Sequence, residues 1–120
     1  ENVKIINFQK NPYKFLKKSN LFILTSLYEG LPNVLLEAMV LKKFIISSNC
    51  PTGPREILKN GKLGMLFKIG DKKDLSNKIL NFNNNIKTNN KITYHAYKSL
   101  DRFDYKSNCE EYFKTVKEFI

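Results

Sequence analysis

The chain has 120 residues with 21 Lys and Arg against 11 Asp and Glu, enough length for one compact core and too little for two. Its 42% hydrophobic and 27% charged residues lie in the ordinary globular range, which argues against disorder. The formal net charge of +10 comes almost wholly from scattered lysines, with Arg55 and Arg102 as the only guanidiniums, which argues against a dedicated nucleic-acid face while leaving phosphate contacts and a peripheral membrane role open.

In chain order, Val3 to Phe8 is a short β-branched run that predicts a strand, and Asn11 to Lys18 predicts turn residues around a short helix. Leu21 to Ser26 is apolar and strand-length. Pro32 stands where a helix favours its first residue, and Val34 to Leu41 reads as an apolar helix. Phe44 to Ser48 is the third strand candidate. Pro51, Gly53 and Pro54 break the chain, Arg55 to Lys59 suits one helical turn, and Met65 to Ile69 is the fourth strand. Asp71 with Asp74 resembles a capping box for a helix that places Leu75, Ile79 and Phe82 on one face. An Asn-rich loop is expected from Asn83 to Asn90, then a weaker helix from Ile92 to Leu100. A final helix from about Asp104 carries Tyr105, Cys109, Tyr112, Phe113, Val116 and Ile120 at helical spacing, and this aromatic stripe, running on to Phe119, is expected to face a core.

Strands that alternate with helices predict an α/β class, a three-layer Rossmann-like parallel sheet covered on both faces. Ligands of such sheets bind at the carboxyl ends of the strands, here the loops after Ser26 and Ser48. Cys50 and Cys109 lack CxxC spacing and His95 is the single histidine, so zinc and Cys/His nucleophile arrangements are not expected. Free cysteines suit a reducing compartment. No apolar run approaches the roughly 18 residues a bilayer needs, and no signal-peptide core precedes the first element. The expected location is therefore cytoplasmic, with peripheral contact at the inner face of the cell membrane left open. A start without Met, directly on a strand-like run, suggests a piece of a longer protein.

The chemistry concentrates between Ser26 and Met39. Glu29 falls in the loop past a strand, and Glu37 falls on the helix that follows, among Val34, Leu35, Leu36, Ala38, Met39, Val40 and Leu41. A carboxylate in so apolar a helix needs a partner, because burying an unpaired charge costs several kcal/mol. The vicinal hydroxyls of a ribose suit it, since each carboxylate oxygen accepts one hydrogen bond. The backbone amides near Leu31, Pro32, Asn33 and Val34 lie at the positive end of the helix dipole and suit a diphosphate, with Gly30 clearing the approach. Glu29 is then placed to accept hydrogen bonds from sugar hydroxyls near the reacting carbon.

The pattern Glu29-x7-Glu37 is preceded by a strand ending in Ser26. It is followed by Phe44-Ile45-Ile46-Ser47-Ser48, Gly53-Pro54-Arg55-Glu56-Ile57 and the stretch from Asn60 to Asp71. In that order it resembles the donor domain of retaining GT-B glycosyltransferases of family 4, the group 1 glycosyl transferases. The resemblance covers about Asn2 to Leu80. It implies that residues 1–120 are part of the nucleotide-sugar-binding domain, the C-terminal half of a GT-B fold, with the acceptor domain absent. The implied reaction moves a sugar from a nucleotide diphosphate sugar to a glycan or lipid-linked acceptor with retention. By the same resemblance Glu29 is the catalytic contact to the donor sugar, Glu37 holds the ribose, and Gly30 to Val34 wrap sugar and diphosphate. Neither metal nor cofactor is implied, and no nucleic-acid partner. The Pro32-Asn33 form, which departs from a second glycine followed by an apolar residue, together with Cys50 to Glu56, resembles members that build bacterial surface polysaccharides. The isolated fragment is expected to lack transferase activity.

Plainer roles compete at each position. Glu29 can be an acid at a helix N-terminus, Glu37 an ion pair with Lys42 or Arg55, and Arg55 and Glu56 a structural helix start. Two other functions are weighed: a basic α/β module that contacts RNA or an anionic membrane, and a nucleotide-sugar scaffold without catalysis.

Overall fold

The computed structural model describes residues 2–118, so the Phe119 and Ile120 contacts of the expected stripe lie outside the described residues. At its centre Leu21–Leu24 (β1), Phe44–Ser48 (β2) and Met65–Phe67 (β3) form a parallel sheet in the order β1-β2-β3. Leu21 pairs with Phe44, and Ser48 with Phe67. Strand β2 is buried along its whole length because it has a neighbour on each side, which is why its apolar residues run without alternation. The pleat still sorts them. Ile45 faces a core with Leu35, Ala38, Met39, Ile57, Leu58, Leu63 and Ala96, while Phe44, Ile46 and Phe67 face a second core with Leu75, Phe82 and Ile92. The α/β sheet is therefore covered on both faces, in three layers.

The first helix, α1, spans Tyr13–Lys18, and α2 spans Asn33–Val40. Pro32 precedes α2 as its N-cap rather than forming its first residue. A single turn, α3, covers Pro54–Ile57. In α4, Lys72–Asn84, the Asp71 carboxylate accepts the Asp74 amide at 2.9 Å. The reciprocal half of a capping box is absent: the Asp74 carboxylate instead accepts the Lys68 amide at 2.9 Å.

Three expectations need correction. Residues 2–9 form no strand; Val3, Ile5 and Phe8 are 82%, 90% and 91% exposed. A β-branched run becomes a strand only beside a partner that completes its ladder, and no described strand lies next to this one. The Asn-rich loop is helix: α4 runs to Asn84 and α5 occupies Ile86–Lys98, with Asn85 alone between them. There the Asn85 amide group donates to the Asn81 carbonyl at 2.9 Å and the buried Asn89 amide group to the Phe82 carbonyl at 2.7 Å. Asparagines that compete with a helix when solvated here satisfy its broken end. A 3-10 turn at Ser99–Phe103 leads to α6, Tyr105–Glu118.

The third correction concerns α6, which buries none of its described residues; Tyr105, Tyr112 and Phe113 are all exposed. Helical spacing marks an apolar face without saying what lies against it. The helix is held at its start by Asp104, whose carboxylate accepts the Ser107 amide and hydroxyl, both at 2.9 Å. The Ser107 amide, then its hydroxyl, holds the Asp104 carboxyl below the usual aspartate range. A folded pKa below the unfolded one gives stabilisation that is present above the unfolded value and lost as pH falls through the folded value. The helicity of α6 is therefore expected to decline below about pH 4, and Asp104→Asn, whose amide carbonyl does not titrate, to remove that dependence in a circular-dichroism titration.

Candidate functional site

The carboxyl ends of β1 and β2 deliver residues 25–32 and 49–53 side by side. Short bonds join the two loops. The Ser48 hydroxyl donates to the Ser26 carbonyl at 2.6 Å, the buried Cys50 thiol donates to the same carbonyl at 3.2 Å, and the Thr52 hydroxyl donates to the Glu29 carbonyl at 2.6 Å. Gly53, at φ +76°, closes the contact: a Cβ there would lie 2.1 Å from the Gly30 oxygen. Ser26, Ser48, Cys50 and Thr52 are thus the frame of the site. Their residue types carry no signal of this in the sequence, because the bonds span 22 to 24 positions.

Glu29 is half-buried within this frame, and one carboxylate oxygen accepts the Ser26 hydroxyl at 2.5 Å. Its other oxygen has no partner among the described residues, so the head group is oriented and still has acceptor capacity. Gly30 is exposed, and a Cβ placed on it would meet nothing within 4 Å; the space in front of the loop is open. Leu31 is exposed and Pro32 buried. At the tip of α2 no side chain caps the helix. The Asn33 and Val34 amides make no hydrogen bond among the described residues, and the first amide turned inward is that of Leu35, to the Pro32 carbonyl at 2.9 Å. The tip therefore presents donors at the positive end of an eight-residue helix, an arrangement suited to an anion.

Glu37 lies four residues past Asn33, about 6 Å along the axis, and three past Val34 on the same face. Val34 and Glu37 line a groove of about 340 Å³ that Pro12 and the α1 residues Tyr13 and Phe15 line as well. Glu37 is half-buried and forms no ion pair among the described residues. Lys42 instead sits over the Tyr97 ring at 4.6 Å, and Arg55 donates to the Asn49 side chain at 3.0 Å, so neither plainer partner is engaged with it. Its neighbour is Tyr13, and the negative Glu37 carboxylate beside the phenol holds the phenol pKa above its ordinary value. The helix is less enclosed than its sequence implies: Leu35, Ala38 and Met39 are buried, while Val40 is 55% exposed. Arg55 and Glu56 lie within α3, after Pro54. Among the described residues no group of three or more His, Cys, Asp and Glu is placed to hold a metal ion, and no helix is long and apolar enough to cross a membrane.

Comparisons with known proteins bear on the family and the fold. The family described as Glycosyl transferases group 1 matches residues 1–99. The chain is 58% identical over 57 residues, 48% of its length, to an uncharacterized glycosyltransferase of Methanocaldococcus jannaschii, of which the match spans 14%. It is 28% identical over 75 residues, 62% of its length, to the N-acetylgalactosamine-N,N'-diacetylbacillosaminyl-diphospho-undecaprenol 4-alpha-N-acetylgalactosaminyltransferase of Campylobacter jejuni, of which the match spans 20%. Anabaena HepE, solved in complex with UDP and glucose, superposes with a TM-score of 0.80 at 22% identity over 92% of this chain and 30% of that one. The sheet and its helices are thus those of GT-B glycosyltransferase structures, and the chain spans less than a third of each of these proteins.

Proposed function

Because the chain belongs to the glycosyl transferases group 1 family, we propose that it is the donor-binding part of an enzyme that moves a sugar from a nucleotide diphosphate sugar to an acceptor hydroxyl with retention. The observation that carries this reading is the open tip of α2. Its amides at Asn33 and Val34 are uncapped, the approach at Gly30 is unhindered, and the groove lined by Val34 and Glu37 begins within one turn of the tip. A diphosphate on the amides places the attached ribose toward Glu37, whose carboxylate takes the 2′ and 3′ hydroxyls. The sugar on the other side reaches Glu29. Leu31, Pro32 and the backbone up to Val34 wrap it, and the amides stabilise the charge that develops on the leaving diphosphate. The donor is a uridine or guanosine diphosphate sugar and serves as substrate, and these residues need no metal for their part. The acceptor is a glycan or a lipid-linked saccharide of bacterial surface polysaccharide synthesis. The work is cytoplasmic, at the inner face of the membrane, and the 120 residues alone do not transfer sugar.

The test is a thermodynamic cycle in the full-length enzyme. Glu37→Ala is expected to weaken donor binding by roughly 10- to 100-fold, the range for hydrogen bonds to a charged group. A donor with 2′-deoxyribose is expected to lose affinity for the natural enzyme and none further for the variant. Calorimetry measures both. Equal penalties for the deoxy donor in the two proteins would mean that Glu37 does not hold the ribose.

A further inference from the structure

At the end of α2 remote from its open tip, the surface changes character. The segments α1, Leu41 to Lys43 and α5 carry three, two and three lysines respectively and no Asp or Glu. Side-chain contacts draw them together: Lys43 Nζ donates to the Lys17 carbonyl at 2.7 Å, and Lys42 Nζ lies over the Tyr97 ring. On α5, Lys91, Tyr94, Tyr97 and Lys98 recur at three- and four-residue spacing, all four exposed, and Lys98 Nζ sits 5.9 Å from the Tyr94 ring centre. Asp101, in the turn beyond, is the acid closest to them in sequence, and Lys98 turns to the ring.

Lys42 supplies a second observation. It holds φ +52°, a left-handed conformation that suits glycine at a helix end and costs a lysine about 1 kcal/mol. Its amide closes the helix through the Met39 carbonyl at 3.0 Å. Lys59 and Asn60 are left-handed too, at φ +45° and +55°; what sets Lys42 apart is its ammonium on the exposed Tyr97 ring.

We propose that Lys42 and the α5 stripe of Lys91, Tyr94, Tyr97 and Lys98 form a docking surface for an anionic lipid bilayer. Ammonium groups favour anionic headgroups, while tyrosines place an apolar ring and a polar hydroxyl at the boundary between headgroup and chain. The neighbouring Val40, 55% exposed, adds apolar area and has no use in a polyphosphate contact. The patch holds no arginine, the side chain that stacks on bases and grips phosphate in two places, which favours a bilayer over RNA. The surface lies roughly 13 Å along α2 from Asn33, so a docked molecule keeps its donor end open to a water-borne nucleotide sugar. The inference rests on the transferase reading only for its purpose, which is to keep the enzyme beside a lipid-linked acceptor.

The experiment is vesicle co-sedimentation of the full-length protein, with phosphatidylcholine alone and with about a third phosphatidylglycerol. The mixed vesicles are expected to bind and the neutral ones not. K42Q/K91Q/K98Q is expected to lower partition on the order of a hundredfold, about fivefold per lysine. K72Q/K73Q/K78Q on α4, with the same change in net charge, is expected to lower it by less than about threefold. K42G is expected to melt no earlier than the natural protein and yet to bind about fivefold more weakly, an outcome that damage to the fold does not give. Equal losses for the two triple variants overturn the proposal, as does single-stranded RNA binding through these lysines without vesicle binding. Calorimetry of donor binding is run beside it: the α5 triple variant is expected to bind donor as the natural protein does. Absence of donor binding in the natural protein counts against the transferase reading and leaves the vesicle result to be judged by itself.

Discussion

Glu29→Gln in the full-length enzyme is expected to lower kcat by about two to three orders of magnitude, the size of effect seen when one preorganised polar contact to a developing charge is removed, with a smaller change in donor affinity. The frame around the residue predicts this division. Its backbone carbonyl is fixed by Thr52 and its carboxylate by the Ser26 hydroxyl at 2.6 and 2.5 Å, so an amide side chain of the same shape keeps the loop in place. What is lost is negative charge beside the position the donor sugar would occupy, where positive charge gathers as the bond to the diphosphate lengthens. Ground-state binding, spread over the α2 amides and Glu37, persists. Steady-state kinetics with donor varied, paired with calorimetric donor affinity, separates the two terms. If kcat stays within a few-fold of the natural enzyme, Glu29 is only an acid near a helix start, a role worth about 0.3–1 kcal/mol. Ser26→Ala, which frees the carboxylate to rotate while leaving its charge, is expected to fall between the two.

The sheet and the α2 tip are legible in the sequence for one physical reason: their signals are local. Phe44, Ile45 and Ile46 are apolar in succession because β2 has a strand on each side, and that run predicts the strand. Glu29 and Glu37 are eight positions apart on one loop and one helix, so their approximate placement follows from helical rise. Non-local partners leave no such mark. Val3 to Phe8 has strand composition without a described neighbour, and Tyr105 to Phe113 has helical spacing without a described surface to cover. The asparagines from Asn83 to Asn90 predict a loop by their preference for turns. They are helix because Asn85 and Asn89 find carbonyl partners at the α4–α5 junction. Cys50 reads in the sequence as a free cysteine. It is buried, and its thiol also ties β2 to the β1 loop, a role that only proximity in space confers.

Gly53→Ala carries the largest expected cost in stability, about 3 kcal/mol or more, and the cost has two separable parts. At φ +76° and ψ −84° the residue sits near a three-residue turn conformation that a side chain strains. A Cβ would also lie 2.1 Å from the Gly30 oxygen and 2.7 Å from Pro32 Cδ. Those atoms are backbone and a proline ring, and neither can swing aside, so relief must come from moving residues 30–32 or the Pro54 turn. Gly70 offers a left-handed position without the clash: it has φ +75°, and a Cβ added there would meet nothing within 4 Å. Gly70→Ala is therefore expected to cost only the conformational strain, about 1–2 kcal/mol, and to leave donor affinity as it was. Because residues 30–32 lead into the α2 tip, Gly53→Ala is expected to weaken donor binding at temperatures where the protein is still folded. Denaturant titration gives the stabilities and calorimetry the affinities. Were Gly53→Ala no more costly than Gly70→Ala and equally able to bind donor, the two loops would not be braced against each other, and the frame that orients Glu29 would have to lie elsewhere.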